Sequence, residues 1–284
     1  MEKRKKRLWI WGIVVILLAV SVWVLWENTA LERNDYVVAS KQLPASFSGF
    51  QIAHISDLHN GKMQRENEKV LTILRQTQPD VIAITGDLID SRRTDVDTAL
   101  AFVREAVQIA PCYYVTGNHE ARVEEYTLLA DGLLELGVTV LENSSLEVHR
   151  DGESIVIAGV EDPSFQAEYL MKEEYSALKE SLETLNLQKD RFTVLLSHRP
   201  EYFDLYAQMG VHLVLSGHSH GGQFRIPVIG GLFAPGQGLF PQYDAGLFVK
   251  GNTNMVVSRG IGNSAFPVRV NNRPEVIIVT LLAG

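Results

Sequence analysis

Five short apolar runs each lead into side chains that can bind a metal, and this recurrence constrains the fold more than any other feature. "FQIAHIS" (50–56) leads into Asp57 and His59, "DVIAIT" (80–85) into Asp87, and "CYYVT" (112–116) into Asn118, His119 and Glu120. "FTVLLS" (192–197) is followed by His198, and "HLVLS" (212–216) by His218 and His220. The runs read as strands, and their continuous apolarity suggests the interior of a sheet. Stretches with helical spacing lie at 66–78, 95–107, 124–137 and 173–187, and further strands at 153–160, 253–258 and 275–281. Strands alternating with helices imply α/β layers. In open α/β sheets the carboxyl ends of strands are where ligands bind.

Any one of these motifs is weak, because a lone "DxH" or "GD" is more often a turn or a cap. The five together point to a metal site. The donors are carboxylates, imidazoles and one amide, with no thiolate; such N/O sets suit manganese, iron or zinc, of which manganese is favoured. They are too many for one ion, so two divalent ions are expected, with one carboxylate bridging them. Two such ions can hold a shared hydroxide and neutralise charge during an in-line displacement at phosphorus. The glycines beside the donors allow sharp turns and close backbone approach, and the chain is expected to turn after Gly217.

The N-terminus is of different material. "MEKRKKR" has five basic residues and one acidic, and Leu8–Trp26 has no charge. Nineteen helical residues nearly span a hydrocarbon core of roughly 30 Å. Trp9, Trp11, Trp23 and Trp26 sit at the two ends, where indole favours headgroups. The expected organisation is a basic flank and transmembrane signal anchor over 1–27, a stalk over 28–48, and a folded domain over 49–284. A cleaved signal peptide is the rival, but only a poor cleavage site follows. The basic flank places the N-terminus in the cytoplasm and the domain outside. The chain's net charge is −8, and loss of five bases and one acid with the first seven residues takes it to −12. An acidic domain argues against nucleic acid as a partner. The single cysteine, Cys112, excludes an internal disulfide and reads as core.

The set "DLH…GD…GNHE…H…GHSH", over about residues 51–223, resembles the calcineurin-like metallophosphoesterase superfamily. "GHSHGGQFRIP" and "SRGIGNSAFPVRVNNRPEV" resemble more particularly its bacterial membrane-associated or exported phosphodiesterase branch. The resemblance implies a four-layer αββα sandwich of two mixed sheets, with a dinuclear metal site at strand ends. It implies that Asp57, His59 and His220 hold one ion, Asn118, His198 and His218 the other, and that Asp87 bridges them. It also implies that His119 sits beside the substrate phosphate, to stabilise the transition state or protonate the leaving oxygen.

The expected activity is that of a phosphodiesterase or pyrophosphohydrolase at a bacterial membrane, with the bilayer as partner and a lipid-linked phosphate as substrate. Hydrolysis of soluble nucleotides or other phosphoesters outside the cell is the alternative. A catalytically silent metal-stabilised scaffold is a reading of another class. The Gly/Pro/aromatic stretch 226–248 could meet acyl chains or be an ordinary lid. His54, His149 and His212 read as structural or solvated. Glu120 either orients His119 or starts a helix. Asp162 lies near the site or in a turn. Arg259 and Arg269 either grip a phosphate or form ion pairs.

Overall fold

The structure is a computed structural model that describes residues 2–60, 64–170, 173–263 and 268–284. The apolar N-terminal run is helix α1 (Glu2–Thr29), and its stretch Arg4–Thr29 is long and apolar enough to cross a membrane. The chain passes almost directly into β1 (Glu32–Ser40), then β2 (Gln51–Ile55), α2 (Gln64–Thr77), β3 (Val81–Thr85), α3 (Val96–Ala106), β4 (Cys112–Val115), α4 (Tyr126–Glu135) and β5 (Thr139–Val140). A hairpin of β6 (Ser144–Arg150) and β7 (Glu153–Gly159) follows, then α5 (Ser164–Leu170), α6 (Glu174–Thr184), β8 (Thr193–Leu196), α7 (Phe203–Met209) and β9 (Leu213–Ser216). Two miniature hairpins come next: β10 (Arg225–Ile226) with β11 (Gly230–Gly231), and β12 (Phe233–Ala234) with β13 (Gly238–Leu239). The chain ends with β14 (Gly246–Lys250), β15 (Thr253–Val257) and β16 (Glu275–Ala283).

Two mixed six-stranded sheets result, in the orders β1-β16-β2-β3-β4-β5 and β14-β15-β9-β8-β7-β6. Each contains a run of four parallel strands: β2, β3, β4 and β5 in one, and β15, β9, β8 and β7 in the other. Three apolar clusters lie between the layers. One joins α2, α3 and α4 to the first sheet through Val70, Leu74, Phe102 and Leu133. A second fills the space between the sheets, with Ile52, Val115, Val194 and Leu215. A third joins α6 and α7 to the second sheet through Leu178, Leu182 and Tyr206. Three interfaces make four layers. Strands buried on both faces must be apolar throughout, which is why the five runs show no alternation.

The expected stalk is corrected. Residues 32–40 form the edge strand β1, paired in parallel with β16 from Glu32↔Glu275 to Ser40↔Ala283. Leu43 and Phe47, farther along the same stretch, are buried in the cluster between the sheets. The folded unit therefore begins at the end of α1 and not near residue 49. Residues 264–267 of the late "SRGIGNSAFPVRVNNRPEV" motif lie outside the described residues.

Candidate metal centre

Strands β2, β3 and β4 of the first sheet and β8 and β9 of the second release their chains at one end of the sandwich. All eight residues singled out there are brought together. Asp57, His59, Asp87 and His220 offer donor atoms within 4.8 Å of one another, as do Asp87, His198 and His218. Nε2 of His59 is 3.1 Å from Nε2 of His220, which is 3.2 Å from Oδ1 of Asp57. Nε2 of His198 is 3.2 Å from Nδ1 of His218 and 3.3 Å from Oδ2 of Asp87. The same Oδ2 is 3.8 Å from Nε2 of His59, so Asp87 belongs to both groups. Asn118 is buried beside them, and its Oδ1 has no hydrogen-bond partner.

The backbone is bent to achieve this. Asp57, His59, Asp87, His218 and His220 all have φ between 45° and 66°, in the left-handed region that non-glycine residues seldom occupy. Such strain persists where the surroundings over-determine it, and it concentrates at functional sites. After Gly217 the chain turns as expected, with Ser219 N–H donating to the Gly217 carbonyl at 2.7 Å. The close approach requires glycine: a Cβ on Gly217 would lie 2.3 Å from Oδ2 of Asp57, and one on Gly117 would lie 2.2 Å from Oδ1 of Asp87.

The donors call for positive charge. Burial, with Asp87 adding, pushes the Asp57 carboxyl up to about 6. Burial would lower the His198 pKa, but Asp87 and Asp57 outweigh it and hold the imidazole up at about 10. Burial depresses His59 to about 3. Nδ1 of His198 donates to the Thr85 carbonyl at 2.7 Å, so when the ring is neutral Nε2 keeps its lone pair for the centre. Converging imidazole and carboxylate donors with unsatisfied atoms fit a divalent cation.

His119 is held differently. The Ser91 backbone N–H donates to its Nδ1 at 2.9 Å, and such a group can only donate. Nδ1 therefore carries the lone pair, and the neutral ring's proton sits on Nε2, 4.0 Å from Oδ2 of Asp87. Burial lowers the pKa of this ring, which favours the neutral form. His119 thus presents an N–H to the centre as a hydrogen-bond donor.

The sequence profile of the calcineurin-like phosphoesterase family matches residues 50–222. The chain belongs to this family. An uncharacterised metallophosphoesterase of Bacillus subtilis is 29% identical over 261 residues, which cover 90% of this chain and 87% of that protein. A transmembrane protein with a metallophosphoesterase domain from Bos taurus is 31% identical over 256 residues, covering 86% of this chain and 55% of the relative. A solved structure from Thermus thermophilus is similar at 19% identity and a TM-score of 0.47, covering 75% of this chain and 91% of that one. Calcineurin-like phosphoesterases use divalent metals, and the Asp/His groups of this member can hold one.

Several residues around the centre differ from their sequence reading or were missed by it. Glu120 neither orients His119 nor merely opens a helix. It is buried, and its carboxylate accepts backbone N–H groups of Gly117 (2.7 Å), Asp87 (2.9 Å) and Ile89 (3.2 Å), clamping two donor-bearing turns together. Arg199, which follows His198, has no sequence reading. It is buried, pairs with Asp162 at 2.6 Å, and brings Nη1 to 3.4 Å from Nε2 of His218. Asp162 is therefore near the site, through Arg199. Arg259 pairs with Glu275 and Glu32, so its ion-pair reading holds. Arg269 donates to the carbonyls of Arg259 and Gly262, so neither arginine lines the cleft. His54 bonds to Thr85 and His212 accepts from the Thr193 N–H; both are buried and structural. His149 is exposed.

Above the donors opens a cleft of about 490 Å³. His119 lies in its wall with Arg92 and Arg122, two guanidinium groups that the sequence reading also missed. Phe233 and Pro235 from the second miniature hairpin also line the cleft. The stretch 226–248 thus contains most of the two miniature hairpins, and part of it borders the cleft.

Proposed function

We propose that this family member is a membrane-anchored phosphodiesterase or pyrophosphohydrolase that uses two divalent ions and acts on a lipid-linked phosphate. The observation that carries the two-ion reading is the sharing of Asp87 by two donor groups. Asp57, His59 and His220 would hold one ion, Asn118, His198 and His218 the other, and Asp87 would bridge them, with manganese the favoured metal. When bound, such a pair supplies an activated water and neutralises charge on the phosphoryl oxygens. The chain's own residues do the rest. His119 offers its Nε2–H to a phosphoryl oxygen, a donor that strengthens as negative charge develops there. Arg122 suits a second anionic group of the substrate, whereas the Arg92 guanidinium is already paired with Asp90 at 3.0 Å.

Support for a lipid comes from the miniature hairpins, one of which lines the cleft through Phe233 and Pro235. Val228 and Phe240 on the hairpins are exposed, at 107% and 57%. Phe224 forms a bridge with Val270, and Arg269 hydrogen-bonds Asn28 at the end of α1, so the hairpins stand close to where the anchor leaves the domain. Large exposed apolar side chains on a surface of this kind suit contact with a membrane when they lie together. The basic residues at the start of α1 favour an extracytoplasmic domain in a bacterial membrane.

The full-length protein in detergent, supplied with Mn²⁺, is expected to hydrolyse phosphodiesters or pyrophosphates of extracted lipids faster than nucleotides. Equal or faster turnover of soluble nucleotides would replace the lipid reading with the nucleotide one.

A further inference from the structure

The last turn of the anchor helix is built into the catalytic domain, directly behind the metal centre. Glu27 closes an apolar run yet is only 4% exposed. One of its carboxylate oxygens accepts the backbone N–H of Asn272 at 3.2 Å, and the other pairs with Nε of Arg273 at 3.1 Å. The Arg273 guanidinium lies 4.0 Å over the Trp26 ring and reaches Glu32 at 2.7 Å. Asn28 exchanges two hydrogen bonds with the backbone of Arg269, at 2.7 and 3.0 Å. Three successive anchor residues are thus fixed to one loop, residues 269–273.

That loop holds a metal-donor turn on its other side. The Asn272 side chain is fully buried, and its Nδ2 donates to the carbonyl of His220 at 2.7 Å and to that of Gln223 at 3.1 Å. It packs so close that a Cβ on Gly221 would lie 2.1 Å from its Oδ1. His220 has the strained φ of 45°, which needs such outside support.

We propose that Asn272 is a positioning residue that links the anchor to the metal centre: Glu27 fixes its backbone, and its side chain fixes the left-handed turn that aims His220. The anchor is then more than a tether. Full metal affinity requires its final turn to be docked, and the membrane-proximal end of α1 is a structural member of the site. This inference rests on His220 being a ligand, and the experiment separates the two ideas.

Full-length protein in lipid nanodiscs is stripped of metal and titrated with Co²⁺, followed by the visible ligand-field bands. Wild type is expected to bind two ions. Asn272→Ala is expected to weaken one binding step by about 10- to 100-fold, the usual cost of losing an outer partner of a ligand. Its bands should shift in the same sense as those of His220→Ala. Glu27→Ala should act likewise but less. Glu27→Gln, which keeps an oxygen to accept the Asn272 N–H, should restore the wild-type bands. If Asn272→Ala fails to fold, the Glu27 pair alone decides. Unchanged affinity and bands in Asn272→Ala or Glu27→Ala, with a loss in His220→Ala, would overturn the link alone. A melting temperature that falls while affinity and bands stay put would reduce these residues to general packing and overturn it too. A wild type that takes up no Co²⁺ would overturn the link together with the metal reading.

Discussion

Replacing Glu120 separates two explanations of a buried carboxylate. Its oxygens accept three backbone N–H groups, from Gly117, Asp87 and Ile89. Burial, with Asp87 adding, pushes its pKa up to about 7, so the negative charge is a burden there; its value is as an acceptor. Glu120→Ala orphans all three donors at about 1–3 kcal/mol each. Water entering the vacated space returns part of this, leaving a loss of about 3–5 kcal/mol. For a domain of this size that lowers the melting temperature by roughly 6–20 °C. Glu120→Gln keeps an oxygen for the Gly117 and Asp87 N–H groups and loses the 3.2 Å bond from Ile89, a cost of about 1 kcal/mol. The assay is thermal unfolding of the three full-length proteins in the same detergent, with bound metal counted in parallel. The Ala variant should also bind less metal, because the two turns it unclamps carry Asp87 and Asn118. Equal losses in the Gln and Ala variants would show that charge matters and refute the acceptor argument. An Ala variant within 2–4 °C of wild type, a shift worth only about 1 kcal/mol, would refute the clamp itself.

Two further expectations concern the site and its setting. His119→Ala should keep its metals and slow turnover about 10²–10³-fold, as for one lost transition-state donor. The slowing should be equal across a leaving-group series, because Nδ1 is tied to the Ser91 N–H and Nε2 serves as a donor; a loss that shrinks for better leaving groups would restore the general-acid role. For topology, protease added to intact spheroplasts should digest the domain, and protection until lysis would reverse the orientation.

The donors were legible because each closes a continuous apolar run, a local pattern that parallel strands impose whatever their partners. β1 was not legible. Its "ERNDYVVAS" is half polar because it lies at a sheet edge, and its partner β16 is more than two hundred residues away. Glu27 was hidden for a similar reason: at the end of an apolar helix an acid reads as the water boundary, and only the packed loop 269–273 reveals it as buried. The clamp by Glu120 depends on β3 and β4 being neighbours, which no local stretch encodes. Arg199 did leave a signal. It is a charged residue directly after His198 at the end of an apolar run, where burying a guanidinium demands a partner.

The central claim is that Asp87 joins two ions into one phosphoester-cleaving centre. It is tested most directly by counting Mn²⁺ per chain while measuring hydrolysis of bis(4-nitrophenyl) phosphate, for wild type and Asp87→Asn. Two ions and metal-dependent turnover are expected in the wild type. Asp87→Asn, which removes charge at the one group both share, should lose at least one ion and nearly all turnover. An Asp87→Asn protein that keeps two ions and near-normal turnover, or a wild type that holds two ions and hydrolyses nothing, would contradict the claim.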